Sequence, residues 1–188
     1  MAVLNVHERL VAAGADAVGE LLDTLSAGPE DRLWPSAHWP AMRLDRGLSP
    51  GSAGGHGPIR YTVSAYEPGV RVRFDFTGPP GFHGFHEFAV VPVDAHRTLL
   101  RHTLSMRTTG AARLTWPLLY RPLHDALVED GLDRAEPTAR PARWSPYVRL
   151  LRTALARRTP PRPLPPGPGT SAPATGRNGR SGASAASA

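Results

Sequence analysis

The sequence predicts an α+β protein in which a curved antiparallel sheet wraps a long C-terminal helix, with two short helices after the first strand. Three observations predict it. Four consecutive segments between 59 and 107 alternate apolar and polar residues with a period of two. One long stretch, Ala111 to Glu136, carries apolar residues at helical spacing. And the pattern changes from strand-like to helix-like just after Val11.

Taken in order, Val3 to Val11 is extended-compatible and runs into a turn at Ala12-Ala13-Gly14. Asp16 is positioned to cap a short helix whose apolar residues are Val18, Leu21, Leu22 and Leu25, and Gly28-Pro29 should stop it. Glu30 to Pro35 has the length of a second short helix, with Pro35 and Pro40 preventing extension. Met42 to Asp45 reads as a short strand, and Gly54-Gly55-His56-Gly57 as a flexible loop before the first hairpin. In that hairpin Ile59, Tyr61, Val63 and Ala65 form one dry face; Glu67-Pro68-Gly69 turns the chain into Val70, Val72, Phe74 and Phe76. A second hairpin runs from His86, Phe88 and Val90 through Asp94-Ala95-His96 into Leu100, His102, Leu104 and Met106.

In the long helix Trp116, Leu119, Tyr120, Leu123, Ala126 and Leu127 share one arc, with Arg121, Asp125 and Glu129 on the other. Pro122 should kink it, and Pro137 ends it. Trp144 to Arg158 reads as a further short helix with Tyr147, Leu150, Leu151, Ala154 and Leu155 opposed to Arg149, Arg152 and Arg157. The expected organisation is a ligand-binding domain over 1–137, a basic linker and amphipathic helix over 138–158, and a disordered Pro/Gly/Ala/Ser-rich tail over 159–188.

Charge and composition narrow the function classes. All 22 basic residues are arginine, a bias that abundant Ala, Pro and Gly tie to GC-rich coding rather than to guanidinium chemistry. Their placement is uneven: Met1 to Ala139 holds 13 arginines against 16 acids, whereas Arg140 to Ala188 holds nine and no acid. The body is therefore mildly acidic, which argues against a nucleic-acid-binding core. No cysteine is present, which removes disulfides, thiolate nucleophiles and cysteine-ligated metals, and suits a reducing cytoplasm. His83 and His86, three apart on a strand, point to opposite faces, so no metal or other cofactor is expected. The N-terminus lacks the basic start and apolar run of a secretory signal, and no stretch is long and apolar enough to span a bilayer.

The segments Asn5-Val6-His7-Glu8-Arg9 leading to Ala17-Val18, Tyr66-Glu67-Pro68-Gly69 followed by Val72-Arg73-Phe74, and Thr98 to Met106 resemble the START-like superfamily, also labelled SRPBCC, over about Val3 to Glu136. The resemblance implies a helix-grip fold with a cavity between sheet and helix, of the kind found in polyketide cyclases and lipid-transfer proteins. It carries over no catalytic residue, because the superfamily has no universal motif. An independent physical argument agrees: one helix cannot close the concave face of a strongly bent sheet, and an apolar cavity binds apolar ligands.

Tyr61, Phe74, Phe76, Phe88, Met106, Trp116 and Tyr120 are expected to line or approach that cavity, though core packing accounts for most of them equally well. His86 and His102 are the oddity, since both fall on dry strand faces where polar groups need partners. If the second hairpin turns near Ala95, His102 faces Phe88 and lies diagonal to His86, bringing the imidazoles within about 7 Å. With His124 beside Tyr120, these histidines are the candidates for orienting a ligand or for acid/base work. Glu8, on the face of Val6 and Leu10, is expected to pair with an arginine or to sit at a sheet edge. The expected function is binding or carriage of a small lipophilic molecule in a cytoplasmic protein. A metal-free cyclase or aromatase-type enzyme is the alternative, and a peripheral adaptor held to an anionic membrane through Arg140 to Arg158 the third reading.

Overall fold

The computed structural model of the chain describes residues 1–136 and 144–158, so the expected tail at 159–188 and most of the expected linker lie outside the described residues. Strands β1 (Ala2–Val11), β2 (Arg43–Leu44), β3 (Ala53–His56), β4 (Ile59–Glu67), β5 (Arg71–Gly78), β6 (Phe82–Asp94) and β7 (Arg97–Thr108) form one antiparallel sheet in the order β1-β7-β6-β5-β4-β3-β2. The meander from β2 to β7 is completed by β1 at its far edge. Helices α1 (Ala15–Leu22), α2 (Ala112–Thr115), α3 (Arg121–Ala135) and α4 (Pro146–Arg158) complete the fold, with a π-helical turn, Trp116–Tyr120, joining α2 to α3. The curved sheet around one long helix is the expected architecture.

Several expectations need correction. Asp16 lies in the first turn of α1 and Gly14 occupies the cap position. The helix stops at Leu22, before Gly28-Pro29, and the carboxylate of Asp23 just beyond it accepts hydrogen bonds from Tyr66 Oη and Gly69 N at 2.9 Å each. The second short helix is only a 3-10 turn, Gly28–Glu30. Asp31 accounts for this: its Oδ1 accepts from the backbone N–H of Leu33 and Trp34, offering those amides a local alternative to helix bonds.

The Gly54-Gly55 loop is a strand. Its glycines hid it, and they are required there: a Cβ on Gly55, at φ +153, would sit 2.0 Å from the Ile59 carbonyl oxygen. In β4 a bulge between Val63 and Ala65 interrupts the alternation, so that Tyr66 rather than Ala65 pairs with buried Val72. Val70 belongs to the turn and is exposed.

Asp125 and Glu129, expected on the polar arc of α3, turn toward the sheet. The inward face of β1 is polar, and α3 supplies its partners: Asn5 Nδ2 donates to Asp125 at 3.0 Å, Arg9 donates to Glu129 at 2.9 Å and to Asp133, and His7 lies between Asp125 and Glu129. The outward face holds the expected ion pair, Glu8 with Arg101 at 2.5 Å, beside exposed Leu4, Val6 and Leu10.

Pro122, where a kink was expected, lies just past the π turn. Having no N–H, it leaves the Leu118 carbonyl without its usual helical donor, and Tyr147 Oη of α4 donates to that oxygen at 2.5 Å. The apolar side of α4 also differs from expectation. Val148 is buried, Leu151 and Leu155 pack on the core, and Tyr147 and Leu150 are exposed. Arg152, assigned above to the charged side, lies over Trp144 and Trp39, its guanidinium carbon 3.5 and 4.6 Å from their ring centroids.

Candidate functional site

Between the sheet and α3 lies a cavity of ≈ 270 Å³. The sheet contributes Phe76 from β5, Phe82, His86 and Phe88 from β6, and His102 and Leu104 from β7. The helical side contributes Trp116, Leu119, Tyr120, Leu123, His124, Leu127 and Val128, with Leu155 from α4. His56 at the end of β3 and Trp34 and Trp39 from the preceding loops close a third side. Gly57 and Pro58, in the β3–β4 turn, line the cavity and are exposed, which places this turn at its rim. Among the described residues no Asp, Glu or Arg lines it.

Of the residues expected at the site, Phe76, His86, Phe88, His102, Trp116, Tyr120 and His124 line the cavity; Tyr61, Phe74 and Met106 do not. Tyr61 and Phe74 form the layer behind His86, with ring centroids 4.9 and 4.8 Å from it. Met106 packs with Phe82, Leu104 and Trp116 in a small apolar cluster. Sequence reasoning missed His56, Trp34, Trp39 and Phe82. A signal existed for His56, since a histidine flanked by glycines is an unusual loop, but only the pairing of β3 with β4 aims it inward.

The loop tryptophans are positioned by hydrogen bonds. Trp34 Nε1 donates to the Pro40 carbonyl at 2.9 Å, while Trp39 Nε1 and Trp144 Nε1 both donate to Asp130 Oδ2, at 2.6 and 2.9 Å. One carboxylate on α3 thus fixes a cavity wall and anchors the start of α4.

The expected register of the second hairpin holds: Phe88 faces His102, and His86 faces Leu104. His86 and His102 are therefore diagonal, ring centroids 5.6 Å apart, with His86 Nδ1 at 3.4 Å from His102 Nε2. Each ring is almost wholly buried, and the outer nitrogens, His86 Nε2 and His102 Nδ1, have no protein partner. Burial, followed by repulsion from the neighbouring imidazoles, holds both well below the ordinary histidine pKa, so both are neutral at neutral pH. A neutral imidazole carries one N–H and one lone pair. If His86 Nδ1–H donates to His102, the free groups are a lone pair on His86 Nε2 and an N–H on His102 Nδ1; in the other tautomer they exchange. Either way the pair presents one donor and one acceptor.

His124 continues the row, its ring 5.1 Å from that of His102. Its Nδ1 lies 3.4 Å from Asp125 Oδ1, and its Nε2 is buried without a partner. Desolvation lowers its pKa despite the opposing pull of Asp125. For Asp125 burial acts upward, but hydrogen bonds from His124 and His7 prevail and hold the carboxyl well below its usual range. His56 shares a hydrogen bond with Tyr61 Oη at 3.1 Å, and desolvation, with help from His124 and Arg60, pushes it down to about 3. His7, His124 and Asp125 place three donor atoms within 4.8 Å of one another, a spacing open to a metal ion; hydrogen bonding and ion pairing with Asp125 account for the same distances.

No family model and no curated protein matches the chain. Solved structures do. A protein from Thermobifida fusca is 20% identical, covering 70% of this chain and 89% of its own, at a TM-score of 0.54. Norcoclaurine synthase from Thalictrum flavum, in complex with dopamine and hydroxybenzaldehyde, is 15% identical, covering 71% and 86%, at 0.54. CalU16 from Micromonospora echinospora is 16% identical, covering 84% and 86%, at 0.51. At these identities the likeness is one of fold, and the chain has the helix-grip fold that its START-like resemblance implies.

Proposed function

We propose that the chain binds a small, uncharged, flat lipophilic molecule bearing a hydroxyl or carbonyl group. The observation that carries this reading is the His86–His102 pair, which offers one free donor and one free acceptor inside a cavity walled by aromatic rings. The two free nitrogens lie at opposite ends of the pair, too far apart for one group to bridge, so a ligand hydroxyl or carbonyl satisfies one of them. Charged ligands are disfavoured because no ionic side chain lines the cavity to offset their desolvation. The volume lies near the lower end of the roughly 300–1,000 Å³ typical of ligand pockets, which favours guests of one to three rings. A fold neighbour that holds dopamine and hydroxybenzaldehyde supports the same size class. The membrane-surface reading draws no support from the described part of Arg140 to Arg158, because α4 spends Val148, Leu151 and Arg152 on the domain itself.

Competition between matched guests tests the proposal. 2-Naphthol and naphthalene differ by one hydroxyl, and each can be titrated against the fluorescent lipophile N-phenyl-1-naphthylamine. The hydroxyl should tighten binding about tenfold, the worth of one good hydrogen bond, and the difference should vanish in His102→Leu. Equal affinities for the two guests in the unmodified protein would overturn the reading.

A further inference from the structure

We propose that His124, oriented by Asp125, is a general base that removes a proton from carbon next to a carbonyl group of the molecule bound in the cavity. The inference rests on the binding reading above and adds turnover to it. Asp125 is itself held in place, accepting from Asn5 Nδ2 at 3.0 Å and from His7 Nε2 at 3.2 Å, with His7 braced by Glu129 at 2.6 Å. Its Oδ1 faces His124 Nδ1, so the proton of the neutral ring resides on Nδ1 and the lone pair on Nε2, the buried nitrogen that no protein group uses. A carboxylate behind one nitrogen and a free lone pair at the other is the arrangement proton abstraction requires.

The placement of His102 supplies the complementary group. In the tautomer that leaves the free N–H on His102 Nδ1, a carbonyl oxygen bonded to it carries its neighbouring C–H toward His124, whose ring lies 5.1 Å from that of His102. In the step the C–H bond breaks, the proton goes to Nε2, the bonding pair forms a C=C bond, and the carbonyl π pair moves to oxygen, where the N–H stabilises it. Asp125 stabilises the imidazolium. Return of the proton from Nε2 to oxygen or to another carbon of the conjugated system completes an isomerisation that consumes no co-reactant.

5-Nitrobenzisoxazole, a flat uncharged probe, tests the base directly: removal of its ring C–H proton breaks the N–O bond, forms a nitrile and releases a coloured phenolate. The protein should open it faster than free imidazole at equal concentration, with a rate that rises with pH through a midpoint below 6.5. The groups facing His124 are Asp125, with Arg121 and Glu129, on its own helix, His7 on β1, and His102, His86 and His56 across the cavity. His124→Gln should lose about 100-fold in rate yet still bind N-phenyl-1-naphthylamine. Asp125→Asn should lower the plateau and move the midpoint to lower pH, a shift that a purely structural role would not produce. If the probe displaces the dye but opens no faster than with imidazole, the base is overturned and the binding reading stands. A rate abolished by EDTA overturns it in favour of a metal held by His7, His124 and Asp125. If neither dye nor probe binds, both readings fall.

Discussion

His7 and His102 face each other across the β1–β7 ladder, yet their side chains experience opposite electrostatics. Hydrogen bonds donated by His7 to Asp125 and Glu129 raise its pKa against the cost of burial, whereas His102, with no carboxylate against its ring, is lowered by burial. Histidine NMR titration should therefore give a midpoint above 6.5 for His7 and one well below it for His102; coincident midpoints would contradict the description. The consequence for stability has a definite sign. With its folded pKa raised, His7 contributes fully below its unfolded value near 6.5, and the contribution fades as pH rises through the folded value. His7→Gln should thus cost about 1–3 kcal/mol at pH 5.5 and less at pH 9, as read by urea denaturation. The sequence disclosed part of this row. The diagonal contact of His86 and His102 followed from counting back from a turn centred on Ala95; the observed turn closes Asp94 on Arg97, and a bulge at Val93 restores that count. The bracing of His7 was not legible, since its partners lie more than a hundred residues away on α3.

The helix that packs into the sheet is built around a defect. Pro122 deletes one internal hydrogen bond, the backbone widens into a π turn over Trp116–Tyr120, and the stranded Leu118 carbonyl takes its proton donor from Tyr147. That turn carries Trp116, Leu119 and Tyr120 into the cavity wall, so the irregularity also shapes the site. Tyr147→Phe removes the donor while keeping the ring. It should cost about 0.5–1.5 kcal/mol and speed amide exchange in α4 without altering exchange in β6 and β7. Unchanged exchange in α4 would show that its docking relies on Val148 and Arg152 alone. Pro117 and Pro122 announced that the helix could not be regular. They did not say how the backbone would recover, because the rescuing hydroxyl comes from an element beyond the linker.

The molecule as a whole holds four imidazoles in its interior, His86 and His102 buried and His56 and His124 half-buried, and this sets its response to acid. His56, His86, His102 and His124 all have folded pKa values below 6.5, so the unfolded chain binds protons more readily than the folded one once pH falls under that value. Stability is then highest above 6.5 and declines as pH drops toward the folded values, at up to about 1.4 kcal/mol per pH unit for each imidazole. Urea midpoints recorded from pH 7.5 to 4.5 should fall along this line, and His86→Phe, which keeps a ring stacked on Phe74, should flatten it. A level response in the unmodified protein would mean that the rings are solvated. The sequence by itself determined the meander, the long helix and the pairing of His86 with His102, since side-chain alternation and hairpin register are dictated by backbone geometry over a few residues. Tertiary structure alone decided that His56, Trp34 and Trp39 complete the cavity, that β1 turns a polar face to α3, and that α4 docks with Val148 inward. Those features arise in segments without a clean period, whose orientation is chosen by what remote parts of the chain leave to be buried or paired.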